Sequence, residues 1–255
     1  MTNTQVTHVQ IDNYGPWTVT PEPRREVDLQ TLQSRLYADL AQLFGNHDGY
    51  LFFSRFDNMI AVTNGLDRAD HARIQESVGN RYPVSTSLSV ATAETPAAAL
   101  GAATERLQRA GSAQDDGRRE VLETDVLPAA ERTGTDVQLA HFDVDDATGK
   151  YTDQLNEFDT FIRIEQGYAA LMKYMRFAHD SLSFFVGGDN VIAVCSALDH
   201  EDYRDAIEHV EETVGVELKV GVGRARTAAT AGMDAKHALE TCRETGRPVT
   251  FADEG

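Results

Sequence analysis

The stretch RFDNMIAV at residues 55–62 recurs as GGDNVIAV at residues 187–194. Each copy places an Asp-Asn pair directly before an apolar run, and the two aspartates, Asp57 and Asp189, are 132 residues apart. Two further pairs of apolar residues keep the same spacing: Val90 with Val222, and Leu107 with Leu239. A spacing held over so much of the chain indicates a tandem duplication of one folding unit.

A second repeat extends the duplication towards the start of each half. HVQIDNYG at residues 8–15 and AHFDVDDATG at residues 140–149 both read as apolar strands that end on an aspartate. Aligning Asp12 with Asp143 gives an offset of 131, close to that of the hairpins. We therefore predict an N-terminal domain at 1–125, a linker at 126–134 and a C-terminal domain at 135–255.

Each half shows the same predicted order of strands and helices. The first half has a strand ending at Asp12, helix 27–44, strands 50–53 and 59–62, helix 67–78, strand 84–91 and a helix from 95. The second half has strand 137–142, a long helix from 152, a hairpin around Asp189, helix 200–214, strand 217–222 and helix 228–243. The order βαββαβ predicts two tandem α+β domains of ferredoxin-like fold, each with helices against a mostly antiparallel sheet.

The chain is strongly acidic, with 41 acidic and 23 basic residues and a formal net charge of −18. Only four of the basic residues are lysines. Such a surface repels phosphate backbones and anionic lipids, so we expect neither nucleic acid nor a membrane as a partner. Acid-rich, lysine-poor composition is typical of cytosolic proteins of halophilic archaea, in which high salt screens the self-repulsion. An ordinarily acidic mesophilic protein is the alternative.

The sequence pattern also bears on compartment and on zinc. No apolar run approaches the roughly 18 residues of a transmembrane helix, and the polar N-terminus lacks a signal-peptide pattern. We therefore expect a cytoplasmic protein. Because Cys195 and Cys242 are the only cysteines, the sequence offers neither a disulfide framework nor a thiolate-rich zinc site.

Asp12 and Asp57 are candidate metal ligands. In the predicted fold the first strand and the hairpin are neighbours, so the two carboxylates converge and repel each other unless a cation lies between them. Hard oxygen ligands favour Mg²⁺, and two such ions are the arrangement of two-metal catalysis. The alternative is that Asp12 caps a turn and Asp57 is an ordinary turn residue. Asp143 and Asp189 form the alternative pair in the second half.

The segment NYGPWTVTPEPRRE at residues 13–26 follows the first aspartate directly. Its three prolines predict a stiff chain, and Arg24 and Arg25 place two adjacent positive charges near the predicted metal ligands. In so acidic a protein this pair suggests a clamp for a triphosphate. The alternative is a solvated helix N-terminus in which these arginines pair with Glu22 or Glu26.

These segments together resemble the archaeal GTP cyclohydrolase III family. The stretches that carry the resemblance are QIDNYGPWTVTPEPRREVDLQTLQSRLYADL, RFDNMIAVTNG, RIQESVGNRYP, GSAQD and VGGDN. The resemblance implies two palm-type domains, similar to nucleotidyl-cyclase (GGDEF-like) domains, in each chain of a homotetramer. It also implies a need for Mg²⁺, activation by K⁺ or a similar monovalent cation, and no zinc.

The implied reaction opens the imidazole ring of GTP at C8, retains the formyl group and removes the β- and γ-phosphates. The product would be 2-amino-5-formylamino-6-(5-phosphoribosylamino)pyrimidin-4(3H)-one, a precursor of riboflavin and deazaflavin. Two alternatives remain: a palm-type nucleotidyl cyclase or transferase, which needs the same aspartates, and a non-enzymatic nucleotide-binding regulator.

The resemblance also implies roles for individual residues. Asp12 and Asp57 would be the metal ligands and the catalytic pair. The first half is favoured over Asp143 and Asp189 because the second half has only the short acidic DDATG where the first has residues 13–26. The implied substrate-binding residues are Asn13, Tyr14, Arg24, Arg25 and Asn58.

Overall fold

The computed structural model describes residues 3–125 and 136–254, so the predicted linker at 126–134 lies outside the described residues. The chain divides into two compact units, one made of 4–93 and 98–125 and the other mainly of 136–254. Each contains a five-stranded sheet and its own apolar core. The predicted fold class, two tandem ferredoxin-like α+β domains, is confirmed.

The first half follows the predicted order of elements and adds two. The elements are β1 (Thr4–Ile11), α1 (Tyr14–Val19), α2 (Glu26–Gly45), β2 (Tyr50–Arg55), β3 (Asn58–Val62), α3 (Arg68–Arg81), β4 (Thr86–Ala93), α4 (Pro96–Arg109) and β5 (Leu122–Thr124). The strand order is β2-β3-β1-β4-β5. β1 is antiparallel to its neighbours β3 and β4, and β5 is parallel to β4. The added elements are α1 and β5.

Alternation along β1 sends its side chains to two different faces of the sheet. Val9 and Ile11 lie in the apolar core under α2 and α3. The alternate side chains, from His8 to Asp12, therefore lie on the opposite face. Helix α4 borders this face, where Thr104 Oγ1 is 3.4 Å from His8 Nδ1.

The second half repeats the architecture. Its elements are β6 (Val137–Val144), α5 (Glu157–His179), β7 (Leu182–Gly187), β8 (Asn190–Cys195), α6 (His200–Val214), β9 (Leu218–Ala225), α7 (Ala228–Thr245) and β10 (Val249–Phe251). The strand order is β10-β9-β6-β8-β7, and the unpredicted β10 is parallel to β9. The prediction that α5 begins at residue 152 was wrong, because Thr148–Thr152 forms a π-helical turn and the Asn156 side chain caps the helix that follows.

Strand register corrects the alignment of the two repeats. Gln10 of β1 pairs with Asn58 of β3, and Asp143 of β6 pairs with Asn190 of β8. Since Asn58 and Asn190 both follow the hairpin aspartate, Asp143 occupies the position of Gln10. The predicted equivalence of Asp143 with Asp12 was therefore wrong.

Asp145 is the residue that occupies the position of Asp12. The main-chain N–H of each donates to a carbonyl just before the neighbouring antiparallel strand, at 3.0 Å for Asp12 and 2.9 Å for Asp145. The next residues, Asn13 and Asp146, share the left-handed conformation, with φ of 51° and 52°. The first strands of the two halves are thus 133 residues apart, one more than the hairpins.

Candidate active site

Asp12 is held at the end of β1 by a set of neutral donors. Ser87 Oγ donates to its Oδ1 (2.6 Å), and Ser85 Oγ and the main-chain N–H of Glu120 donate to its Oδ2 (both 2.9 Å). The Arg118 guanidinium lies 3.7 Å from Oδ1, and both side chains are at most 3% exposed. The carboxylate is therefore oriented by hydroxyl and amide groups, with one positive charge nearby that does not hydrogen-bond to it.

Asp57 lies in the turn between β2 and β3, directly beside the end of β1. Its main-chain carbonyl accepts the N–H of Ile11 at 2.9 Å. Its side chain is 36% exposed, and Arg55 Nη2 lies 3.6 Å from Oδ2. The structure thus brings the two predicted chain segments together, with Asp12 buried and Asp57 partly open to solvent.

The second half carries two ammonium groups at the equivalent position. Lys219 Nζ lies 2.5 Å from Asp145 Oδ1, and Lys150 Nζ lies 3.3 Å from Oδ2 and 3.0 Å from Glu217 Oε2. Lys219 stands at the register position of Ser87. Hydrogen bonds from Lys219 above all, and from Lys150, lower the pKa of Asp145. Two of the four lysines of the chain thus neutralise the counterpart of Asp12.

The alternative pair, Asp143 and Asp189, has a different environment. Arg243 Nη2 of α7 lies 2.8 Å from Asp143 Oδ2, while the buried Oδ1 accepts no hydrogen bond within the described residues. Burial raises the pKa of Asp143, the bond from Arg243 opposes that shift, and the negative charge of Asp189 adds to it. Asp143 is thus met by an arginine on the face that α7 covers.

The segment after Asp12 forms a short helix, α1, rather than only a stiff corner. Proline is tolerated in the first turn of a helix, where no main-chain N–H is needed for the helical ladder. Asn13 donates its side-chain amide to Asp116 Oδ1 at 3.1 Å. The Tyr14 hydroxyl accepts from Gln33 Nε2 at 2.6 Å, and its ring stacks on Trp17. Asn13 therefore adjoins the site, whereas Tyr14 packs against α2.

Arg24 and Arg25 lie at the N-terminus of α2. The Arg24 guanidinium stacks over the Trp17 ring at 3.9 Å and donates to the Trp17 carbonyl. Arg25 forms two 2.8 Å hydrogen bonds with Asp28. The pairing with Glu22 or Glu26 considered from the sequence is thus replaced by pairing with Asp28.

Two adjoining grooves connect these residues to Asp12. One of about 340 Å³ is lined by Asp12, Asn13 and Ser85, and the other, of about 480 Å³, by Arg24 and Arg25. Trp17 and Pro83 line both. A ligand in the first groove would therefore have its far end near the two arginines.

Several residues of this site were not assigned from the sequence. Ser85 and Ser87 lie in the run STSLSV, where a polar-apolar alternation was the only available signal. Arg118 lies 106 residues after Asp12 in the chain, and no local pattern indicates that it is buried. The residue type of Lys219 is the feature that could have indicated its role, because lysines are rare in this chain and this one lies within a β-strand.

The donor set of the first half fits a hard divalent cation. Asp12 and Asp57 offer carboxylate oxygens from adjacent chain segments, and Mg²⁺ is commonly held by one or two carboxylates together with substrate phosphates. Within the described ranges no group of three or more His, Cys, Asp or Glu side chains could hold a metal by itself. None of the helices described there combines the length and apolar character needed to cross a bilayer.

Comparison with known proteins gives the family. Among solved structures, the chain is similar to the GGDEF domain of DgcB from Caulobacter crescentus, with 16% identity over 47% of this chain and 80% of that one, and a TM-score of 0.39. It is 75% identical to GTP cyclohydrolase III of Natronomonas pharaonis over 99% of this chain and all of the relative. It is 68% identical to GTP cyclohydrolase III 1 of Halobacterium salinarum over 96% of both chains, and residues 6–252 match the family described as GTP cyclohydrolase III. The chain belongs to the GTP cyclohydrolase III family.

Proposed function

We propose that the chain hydrolyses GTP at a single site in its first half, around Asp12. Full-length similarity to enzymes named GTP cyclohydrolase III supports the activity. The observation that favours the first half is the contrast between the two aspartates. Asp12 accepts hydrogen bonds from neutral donors only and has one guanidinium 3.7 Å away, whereas Asp145 contacts two ammonium groups directly. The two ammonium groups at Asp145 repel a divalent cation, whereas the neutral donors at Asp12 do not.

Asp12 and Asp57 would hold Mg²⁺ together with the triphosphate of the substrate. When bound, the metal supplies positive charge at the phosphates and lowers the pKa of a coordinated water. Ser85, Ser87 and the Glu120 N–H fix the orientation of the Asp12 carboxylate, which is the contribution that partners of metal ligands usually make. Two-metal catalysis is the form of this proposal that the resemblance favours.

The remaining substrate contacts follow from the grooves. Asn13 lines the groove at Asp12, and Arg24 and Arg25 line the adjoining one, where their guanidinium groups suit phosphate oxygens. The Tyr14 ring stacks on Trp17, so Tyr14 would shape the pocket rather than contact phosphate. Asn58 follows Asp57 and is 4% exposed, and it is the remaining residue that the resemblance assigns to substrate binding.

The proposed reaction adds water at C8 of the guanine, opens the imidazole ring and leaves the formyl group on the product. Hydrolysis of the phosphoanhydrides leaves a monophosphate, 2-amino-5-formylamino-6-(5-phosphoribosylamino)pyrimidin-4(3H)-one. Activation by K⁺, a homotetrameric state and a cytoplasmic place in riboflavin or deazaflavin precursor synthesis are further parts of the proposal that the family resemblance supports.

Incubating the purified full-length protein with GTP, Mg²⁺ and molar KCl tests this function. Ring opening changes the ultraviolet spectrum of the base and is accompanied by phosphate release, which is the expected result. Release of diphosphate with an intact purine spectrum would instead identify a nucleotidyl cyclase or transferase. Binding of GTP with neither change would identify a regulator.

A further inference from the structure

The first half contains a cavity with a mixed polar and apolar lining, on the face of the sheet that α4 borders. It has a volume of about 410 Å³ and is lined by His8, Gln10 and Asn58 from the sheet and by Thr104, Leu107 and Ser112 from α4 and the loop after it. The Arg55 side chain, 71% exposed, lies at its rim. This cavity, which we call the α4 cavity, is separate from the grooves at Asp12 and Arg24.

The second half shows how the same space can be filled. Helix α7 lies directly on Gly221 and Gly223 of β9, where an added Cβ would be 2.2 Å from the Ala235 carbonyl oxygen and 2.1 Å from that of Ala231. By strand register the corresponding residues of β4 are Ser89 and Ala91. The side chains on β4 hold α4 further from the sheet than glycines would.

The C-terminal ends of the two helices differ as well. Helix α7 continues to Thr245 and carries Arg243, which reaches Asp143. Helix α4 ends at Arg109, and the position of Arg243 is taken by Gly111, whose φ of +118° turns the chain away. The α4 cavity is therefore open because of specific differences in sequence between two copies of one scaffold.

A connected row of hydrogen bonds begins with the side chains that line the α4 cavity and continues to Arg118, which lies behind that lining. Asn58 Oδ1 is 2.8 Å from His8 Nε2 and accepts from Gln10 Nε2 at 3.1 Å. Gln10 Oε1 accepts from Arg118 Nη1 at 2.9 Å. Every side-chain acceptor in this row is thus already used, and Arg118 also lies 3.7 Å from Asp12.

The atoms of this row without a partner are all N–H donors. They are Nδ2 of Asn58 and Nε and Nη2 of Arg118, and both residues are at least nine-tenths buried. Burying donors without acceptors is unfavourable, most of all on a charged group. Burial above all, with the positive charges of Arg118 and Arg55, lowers the pKa of His8 against the opposing effect of its hydrogen bond with Asn58, which disfavours a positive charge on its imidazole. The unpartnered N–H donors therefore favour the binding of a hydrogen-bond acceptor that carries a negative charge.

We propose that the α4 cavity binds a small oxyanion, with inorganic phosphate as its simplest form. The Asn58 amide would donate to one oxygen, and Arg118 and Arg55 would supply the balancing charge. Arg118 lies between this cavity and Asp12. An oxyanion here would therefore attract the Arg118 guanidinium and weaken its interaction with the Asp12 carboxylate. Resting on the proposed function, this couples the anion to the cation at Asp12, so that each favours binding of the other.

Calorimetric titration of the full-length protein with inorganic phosphate, in EDTA and molar KCl, tests the proposal without divalent cation or turnover. We expect one phosphate per chain. Asn58→Asp, which replaces the donor with a negative oxygen, should weaken binding by about tenfold or more. Asn190→Asp is the matched control, because Asn190 Oδ1 lies 2.9 Å from His141 Nε2 in the same way, and it should leave phosphate binding unchanged. Arg55→Gln, on an exposed side chain that does not endanger folding, should weaken binding about threefold.

Repeating the titration with saturating GTP, still in EDTA, identifies the source of the oxyanion. Unchanged phosphate affinity indicates a site for free phosphate, and competition that disappears in Asn58→Asp indicates a site for a phosphoryl group of the nucleotide. No phosphate binding by the wild type, or equal weakening by Asn58→Asp and Asn190→Asp, would overturn the proposal. Neither outcome depends on whether GTP is hydrolysed, so failure of this inference is distinguishable from failure of the proposed function.

Discussion

The ends of β1 and β6 share a backbone and differ in charge. Asp12 and Asp145 occupy the same position, make the same main-chain hydrogen bond and precede a residue with φ near 50°. Around Asp12 the chain supplies two hydroxyls, a main-chain N–H and a guanidinium at 3.7 Å, whereas around Asp145 it supplies two ammonium groups. Duplication therefore kept the same backbone in both halves. The halves differ in the charge of the groups that surround the aspartate at the end of the first strand.

A single register position carries much of that difference. Ser87 and Lys219 project from the same place on the neighbouring strand, and each contacts the aspartate of its own half. A hydroxyl leaves the negative charge of the carboxylate available to a cation, and an ammonium group neutralises it. The comparison implies that exchanging these two residues would lower the activity of the first half and remove a positive charge beside the aspartate of the second half.

The largest expected effect is on Asp12 itself. Asp12→Asn removes the negative charge while keeping the shape, so kcat for GTP ring opening should fall by at least about 100-fold. Asp145→Asn is the matched control and should keep near-wild-type kcat, since that carboxylate is already paired with lysines. The measurement is the ultraviolet change on ring opening in molar KCl. A loss in Asp145→Asn with activity retained in Asp12→Asn would move the site to the second half.

Ser87→Lys should have the next largest effect. It copies the arrangement at Asp145 into the first half, where an ammonium group beside Asp12 would compete with Mg²⁺ and lower activity by about 10- to 100-fold. Raising Mg²⁺ should recover part of the loss, whereas Ser87→Met, of similar length without charge, should show no such recovery. The assay is initial rate against Mg²⁺ concentration, and identical responses of the two variants would contradict the electrostatic explanation.

The alternation and the repeat were sufficient to predict the fold and to place the end of β1 beside the turn that holds Asp57. Both depend on local pattern: strands that end on a carboxylate, hairpins with Asp-Asn, and helices with apolar residues every three or four positions. The wrong pairing of Asp12 with Asp143 arose because β6 ends in Asp-Val-Asp, which offers two aspartates. A shift of one repeat by two residues keeps every side chain on its face, so alternation alone does not choose between them.

Other features depended on contacts that no local pattern carries. The helix α1 was not predicted because Gly15 and Pro16 are both poor helix formers, although a first turn accepts proline. Burial of Arg118 follows from its position over Gln10, which lies 108 residues earlier in the chain. The α4 cavity depends on the distance between a helix and a sheet, which Gly221 and Gly223 set in one half and larger side chains set in the other.

The arginines of the two halves allow a comparison of stability. Arg118 pairs with Gln10 and Asp12 at 3% side-chain exposure, whereas Arg243 pairs with Asp143 at 41% exposure. Removing one partner of a buried charge pair leaves the other unpaired, so Arg118→Gln should lower the free energy of unfolding by about 3 kcal/mol. Arg243→Gln should lower it by about 1 kcal/mol or less, because solvent screens the pair. Urea denaturation in molar KCl measures both, and equal losses would show that burial does not distinguish them.

The smallest expected effect is the pH dependence of the lysine pairs at Asp145. Lys219 and Lys150 lower the pKa of Asp145 in the folded protein below its unfolded value of about 4. The carboxylate therefore stabilises the fold above that unfolded value, and this stabilisation is lost as the pH falls through the lowered folded-state pKa. Since the side chains are 21% to 32% exposed, the difference in unfolding free energy between wild type and Asp145→Asn should be about 1 kcal/mol or less at pH 7. Thermal melts of both proteins at pH 7 and at pH 3 measure this difference, which should be smaller at the lower pH. A larger difference at pH 3 would mean that the lysines do not hold Asp145 as an anion.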